Sequence, residues 1–366
     1  MKDSESSKQP KQITKPLPRG HVNLKQLAEY LNLNPATVSV VVNDVPGRSI
    51  PQATRDRIKA VAKKLNYQPN LLARSLRSKR TLTIGILVPE LSDGYCTQVL
   101  SGIGDQLMIA GYFYFTAHHR HQARLIEDYT RMLIGRGAQG IIAIDTQFEH
   151  SMSIPVVAVA GHRRIEGVTN ILLNHKRAAE LSLIHLHSLG HRQIAFMRGQ
   201  TFSSDSDDRW SSLVEVAKKL GIDLKHQLVV PLDRDVTSPE LGYPVVQRLL
   251  VTKQPFTALI AFNDFSAIGA IRALQDANLR VPADVSVIGF DDINAAAYTS
   301  PRLTTIHQPL DEIGRIATQS LLNRLHNTVA PADEIVVEPT LVVRESTGPA
   351  RSSTPASSFR RDRLPT

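Results

Sequence analysis

The chain has 366 residues, a formal net charge of +9, 42% hydrophobic and 21% charged residues. That composition fits a folded, water-soluble protein with room for two or three structural units, and no run approaches the ~18 apolar residues of a membrane span. The polar N-terminus MKDSESSKQPKQITKPLPRG lacks the apolar segment of a secretory leader, and a single cysteine, Cys96, excludes an intrachain disulfide and fits a reducing cytosol.

The charge is unevenly placed. Residues 1–80 hold sixteen Lys or Arg against five Asp or Glu, residues 81–350 hold twenty-three against twenty-eight, and the last sixteen hold four against one. A basic head on a mildly acidic body points to a polyanion partner for the head, although a solvated basic extension would carry the same charge.

Residues 1–20 are rich in Lys, Ser, Gln and Pro and are expected to be a disordered basic arm. From Val22 to about Tyr67 the spacing predicts three short helices. LKQLAEYL lines up Leu24, Leu27, Ala28 and Leu31. NPATVSVVV follows, with Asn34 as N-cap, Pro35 at the first helical position and Val38, Val41 and Val42 on a buried face that excludes Val40. The third helix, ATRDRIKAVAKKL, buries Ile58, Val61, Ala62 and Leu65. The tight Asn32-Leu33 connection between the first two helices matches a helix-turn-helix unit spanning 21–68. Pro69 breaks the chain before NLLARSLRSKR, an unusually basic connector over 69–80.

Beyond Thr81 the texture changes to short apolar runs alternating with helical segments: LTIGILV, YFYFTA, QGIIAI, PVVAVA, RQIAFMRG, TALIAFN and VSVIGFDD. That rhythm predicts βαβ units and parallel sheets, too many strands for one sheet, and so two similar α/β subdomains over 81–346 with a cleft at their C-terminal strand ends. The Ser-, Pro- and Arg-rich stretch 347–366 is expected to be a flexible tail.

LKQLAEYLNLNPATVSVVVN, ATRDRIKAVAKKLNYQPNLLARSLRSKRTLTIGILVPELS, LGHRQIAFMRG, FNDFSAIGAIRALQDANLRVPADVSVIGFDD and PRLTTIHQPLDEIGRIA together resemble the lac repressor (LacI/GalR) family of transcription regulators, from Val22 to Glu345. The resemblance implies an α/β protein with an N-terminal all-α helix-turn-helix head and hinge helix, then two α/β subdomains of periplasmic-binding-protein-like type. It implies a cytoplasmic, sequence-specific repressor without enzymatic activity or cofactor. A small effector, carbohydrate-like (a sugar, sugar acid or related metabolite), would bind between the subdomains and alter operator affinity, with reciprocal coupling. The tail lacks a leucine heptad, which points to a homodimer rather than a coiled-coil tetramer.

Carried over residue by residue, the Asn34–Val42 helix enters the major groove. Thr37, Ser39 and Asn43 face phosphates and Pro35, Ala36 and Val40 face bases. Val40 stands where relatives commonly carry a long polar side chain, so methyl contacts replace bidentate readout. In the hinge, Asn70, Ala73, Arg74 and Leu76 match the minor-groove segment, with Leu76 as the apolar wedge. Arg48, Tyr67, Lys79 and Arg80 are further phosphate candidates. Effector positions map to Tyr95, Arg209, Asn263 or Asp264, and Asp291, with a surface ion pair to Asp207 or Asp208 as the competing role for Arg209; His162 is a further candidate where this chain departs from its relatives. Two departures, Ala160-Gly161-His162 and Leu173-Asn174 where relatives carry acidic residues, together with His162-Arg163-Arg164, suggest an acidic effector.

Other classes fit less well. The sequence contains no GxxxxGK[ST], HExxH or GxSxG. His118-His119-Arg120-His121 lacks metal-ligand spacing and is expected to be a solvated loop. A solute-binding protein or sugar sensor without a DNA-binding role would share the body but not the basic head.

Overall fold

The computed structural model describes residues 22–351 except 46–47, 69–79, 92–93, 162–163, 202, 204, 234–237, 329 and 331. The chain divides into two compact units, Met1–Thr81 and Leu82–Thr366.

In the first unit, α1 (Leu24–Leu31) starts with a capping box. Asn23 Oδ1 accepts from the Gln26 N–H, and the Gln26 side chain accepts from the Asn23 N–H, both at 2.9 Å. Asn32 ends the helix in the left-handed region at φ 52°, a conformation Asn tolerates better than most residues. Asn34 caps α2 (Pro35–Val42) by accepting from the Ala36 N–H at 2.8 Å. Arg57, on α3 (Gln52–Lys64), donates to the Leu31 carbonyl at 3.0 Å and so satisfies an orphan acceptor at the end of α1. Leu27, Leu31, Val38, Val41 and Ile58 are fully buried where the three helices meet. Each such side chain contributes about 1.5–3 kcal/mol of transfer free energy.

The second unit holds two six-stranded sheets. The first, ordered β11-β5-β4-β3-β1-β2, contains β1 (Thr83–Val88), β2 (Phe113–His118), β3 (Gly140–Ile144), β4 (Val156–Val159), β5 (Val168–Leu173) and β11 (Glu334–Val337), all parallel. The second, ordered β12-β10-β9-β8-β6-β7, contains β6 (Ile194–Arg198), β7 (Val229–Pro231), β8 (Ala258–Ile260), β9 (Ser286–Asp291), β10 (Thr304–His307) and β12 (Thr340–Val342), with only the β10–β12 pair antiparallel. TIGILV, GIIAI and VVAV are buried at every position, as strands covered on both faces must be.

Among the described residues seven further α-helices cover these sheets: α4 (Gly94–Ile109), α5 (Ala123–Gly135), α6 (His175–Ser188), α7 (Ser206–Lys219), α8 (Tyr243–Val251), α9 (Asp264–Asp276) and α10 (Leu310–His326). Helices α4 and α10 share one core of the first sheet, and α5 packs in the other. Helices α6 and α7 pack on one side of the second sheet, with α8 and α9 in a separate core. The chain passes between subdomains three times: from β5 to α6, from β10 to α10, and from β11 to β12.

The expected start of a flexible tail at Thr347 is corrected. Thr347 bonds to His185 at 3.0 Å, the Gly348 carbonyl to His191 at 3.0 Å, and the Ala350 N–H to the Leu189 carbonyl at 2.8 Å. Partners offered by α6 and the loop after it, the buried His191 among them, hold this stretch against the second subdomain.

Candidate DNA-binding head and effector cleft

On α2, the buried Val38 and Val41 lie opposite a face formed by Ala36, Val40 and Asn43, spaced i, i+4, i+7. Pro35 and Ala36 are exposed, and Thr37, Ser39 and Val40 are partly exposed. Val40 is not part of the head's apolar core, whereas Val42 packs against it. Asn43 donates from Nδ2 to the Ser39 carbonyl at 2.8 Å, so it first closes the helix end. Arg48 is exposed, and its carbonyl accepts from Arg55 at 3.1 Å. Tyr67 is partly exposed, and burial raises its hydroxyl pKa. Part of the head's positive charge is spent internally: Arg55 and Arg57 bind backbone carbonyls, and Lys59 pairs with Asp44 at 2.8 Å. Asn70, Ala73, Arg74, Leu76 and Lys79, with the proposed hinge helix, lie outside the described residues, as do residues 1–20.

In the second unit, a cleft of about 510 Å³, open to solvent, is lined by Tyr95, Asp145, Ala160, Asp205, Arg209, Phe262 and their neighbours Asn263, Phe265 and Asp291. The lining residues come from strand ends and from the loops and first helical turns that follow them in the two sheets, so the topology brings together groups up to about two hundred positions apart. Three non-glycine lining residues hold positive φ: Asp145 at 42°, Ala160 at 56° and Asp291 at 108°. Such conformations persist only where the surroundings enforce them, and they cluster at functional sites.

Arg209 is the most constrained group in the cleft. Nη2 donates to Asp205 Oδ2 at 2.8 Å and Nη1 to the Phe262 carbonyl at 2.6 Å. The guanidinium lies 3.7 Å from the Phe290 ring centroid and 4.4 Å from that of Phe262, so two aromatic rings contact the cation. Its buried Nε has no partner among the described residues. A buried donor left unpaired costs about 1–3 kcal/mol, which an acceptor on a ligand would recover. The competing role, a surface ion pair with Asp207 or Asp208, gives way to a buried pair with Asp205. Asp205 sits one turn back, on the same side as Arg209, while Asp207 turns outward to Arg198.

Tyr95 and Asp291 both line the cleft. Burial, then the carboxylates of Asp205 and Asp145, hold the Tyr95 hydroxyl well above its usual pKa, so it stays neutral. Asp291 Oδ1 accepts from Gln308 at 2.7 Å. Asn263 also lines the cleft, with its Oδ1 capping α9 through the Ser266 N–H at 2.9 Å. Asp264 is corrected: it is fully buried, bonded to Thr305 at 2.6 Å and to the Ile293 N–H at 2.9 Å, and belongs to the core rather than to the cleft lining. Burial, its largest influence, raises its pKa to about 7. His162 lies outside the described residues, and Arg164 is 82% exposed beside Glu334. Asp145, Asp205 and Phe262 were not foreseen; a carboxylate just past the apolar run GIIAI was the available signal for Asp145.

The histidine loop is also corrected. His119 is fully buried, its Nε2 is 2.8 Å from Thr146 Oγ1, and its Nδ1 accepts from the His121 N–H. His121 approaches Asp145 at 3.3 Å. Among the described residues no group of three or more metal-ligating side chains is found.

A capped three-helix head with an outward-facing second helix, followed by two α/β subdomains around a polar cleft, defines a ligand-regulated DNA-binding protein. Residues 23–70 match the bacterial regulatory proteins of the lacI family, and residues 183–347 match the periplasmic binding protein-like domain. The chain belongs to the LacI family of bacterial regulatory proteins. It is 30% identical over 339 residues to the HTH-type transcriptional repressor PurR of Erwinia tasmaniensis, covering 90% of this chain and 98% of that one. It is 30% identical over 329 residues to the ribose operon repressor of Haemophilus influenzae, covering 88% and 98%. A lac repressor dimer bound to operator and the anti-inducer ONPF superposes with a TM-score of 0.81 at 25% identity, over 90% of this chain and 100% of that chain. A LacI family regulator from Enterococcus faecium with bound ribose gives 0.65 at 26%, over 74% and 100%.

Proposed function

We propose that the chain is a cytoplasmic repressor that binds operator DNA as a homodimer and releases or tightens its grip when a small hydroxylated molecule enters the cleft. The arrangement of Arg209 carries the effector half of this reading: a stacked, partly unsatisfied guanidinium among aromatic faces and hydrogen-bond acceptors is built for a polar ring. The charge balance favours a neutral effector over an acidic one. Among the described lining residues Asp145, Asp205 and Asp291 outnumber one guanidinium, which Asp205 already neutralises, and a carboxylate or phosphate on the ligand would face repulsion there.

The capped α2 supports the DNA half. Pro35, Ala36 and Val40 offer thymine methyl contacts and water exclusion, Thr37 and Ser39 offer hydrogen bonds to phosphates, and exposed Lys25, Lys63 and Lys64 supply charge. Among the described residues no helix is long and apolar enough to cross a membrane. A face containing Met108, Ile109, Phe113 and Phe115, all at least 40% exposed, supports the dimer.

Thermal denaturation with D-ribose, D-glucose, D-gluconate and glucose 6-phosphate tests the effector class. Neutral sugars should raise the Tm, and Arg209→Met should abolish the rise. Stabilisation by the anionic sugars alone would overturn the assignment.

A further inference from the structure

We propose that His175 is the positioning residue that ties the cleft to the crossover between the two subdomains, an inference that rests on reading the cleft as the effector site. Strand β5 belongs to the first sheet and α6 packs on the second, and Asn174 alone separates them. His175 is the first residue of α6, so it stands where the chain changes subdomain. The same point is fastened to a second crossover. The Asn174 N–H donates to the Val337 carbonyl at 2.9 Å, and its Nδ2 donates to Glu338 at 2.9 Å, just before the chain enters β12.

From this junction a chain of contacts leads into the cleft. His175 Nε2 lies 3.3 Å from Asp205 Oδ1, and Asp205 Oδ2 accepts from Arg209 Nη2 at 2.8 Å. The three side chains are 6%, 11% and 9% exposed, so water competes little for these bonds. The His175 ring also lies 6.5 Å from that of Phe290, which the Arg209 guanidinium approaches at 3.7 Å. Asp205 thus divides its two oxygens between a cleft arginine and a crossover histidine. An effector acceptor that draws on the Arg209 guanidinium alters the hold of Asp205 on His175. His175 cannot shift without moving the start of α6 against the end of β5. In this arrangement the relation of the subdomains and the occupancy of Arg209 are linked through one carboxylate.

The test needs no effector, so its outcome stands apart from the sugar screen. Spin labels on cysteines introduced at Arg124 in α5 and Val251 in α8, which are 92% and 80% exposed, report the distance between subdomains; buried Cys96 is left in place. The full-length chain is measured after dilution with unlabelled chain. His175→Phe, which keeps a ring against Phe290 but removes the Nε2 donor, should displace or broaden the distance distribution. Asp205→Asn should do the same from the other end of the link, and the double variant should go no further than the larger single effect. His175→Gln, which restores a donor near the Nε2 position, should return the wild-type distribution. A wild-type distribution in Asp205→Asn, additive effects in the double variant, or a His175→Gln that matches His175→Phe would each overturn the proposal.

Discussion

Val40 projects from the side of α2 opposite the buried Val38 and Val41, and it takes no part in the head's core. A methyl surface there can distinguish thymine from cytosine but cannot pair with guanine. Val40→Arg should therefore shift base preference at one operator position toward guanine by about 1–3 kcal/mol, measured by binding to a randomised operator library. Unchanged preference would show that Val40 does not face bases. His119 gives a prediction on the body. Burial is the main reason its pKa falls to about 4, while the unfolded chain has the ordinary value near 6.5. Stability from the neutral imidazole is complete above pH 6.5 and is lost as pH falls toward 4, because the unfolded state takes the proton first. The loss amounts to roughly 3 kcal/mol. Urea unfolding at pH 7 and 4.5 should show a smaller difference in His119→Gln than in the wild type. This residue also marks what sequence left hidden: His118-His119-Arg120-His121 reads as solvent-facing, and only Thr146, on another loop, explains how His119 is buried. Arg209 teaches the same lesson at short range. Asp207, two residues before it, turns to Arg198, and the N-cap Asp205, one turn back, pairs instead.

Elements announced themselves when their own residues settled their burial. TIGILV, GIIAI and VVAV are apolar throughout, and the Asn34-Pro35 start of α2 carries its cap within two residues. β5 and β10 were less visible, because Thr169, Asn170, Thr304 and Thr305 are buried polar residues. Their partners lie far along the chain: Thr169 bonds to the Ala332 carbonyl and to Arg324, the Thr304 N–H to Ser346 and the Thr305 hydroxyl to Asp264. Periodicity cannot report a hydrogen bond closed by a residue 163 positions away. The crossing of α4 and α10 was hidden for a related reason, since these helices are separated by most of the body. A Cβ at Gly314 would stand 2.2 Å from the Val99 carbonyl oxygen, and one at Gly102 2.0 Å from that of Asp311. Gly314→Ala should force the helices apart and cost about 1–3 kcal/mol by urea denaturation. Gly135→Ala on α5 meets nothing within 4 Å, and should be neutral or stabilising by up to ~1 kcal/mol. Equal effects would mean that close approach is not what these glycines provide.

At the scale of the molecule, the proposed function requires two heads to meet one operator. A helix-turn-helix reads one half-site, and two-fold symmetric binding places half-sites about 34–36 Å apart or at multiples of that spacing. The body offers one exposed apolar face that such pairing could cover. β2 is an edge strand of its sheet, Phe113 and Phe115 project from it 61% and 40% exposed, and Met108 and Ile109 are 72% and 78% exposed at the adjoining end of α4. The two phenyl rings pack edge to face with centroids 5.1 Å apart, a contiguous apolar surface that a lone soluble chain would leave in water. Phe113→Glu places a charge at its centre without touching the buried core or the cleft. The variant should run as a monomer in light scattering, keep its thermal response to sugars, and lose most of its operator affinity. Because each neutralised phosphate adds about 0.9 to the slope of log affinity against log salt, a monomer bound through one head should show about half the wild-type slope. A dimer that survives Phe113→Glu would place the interface elsewhere; a monomer with an undiminished slope would mean that one head already makes every phosphate contact.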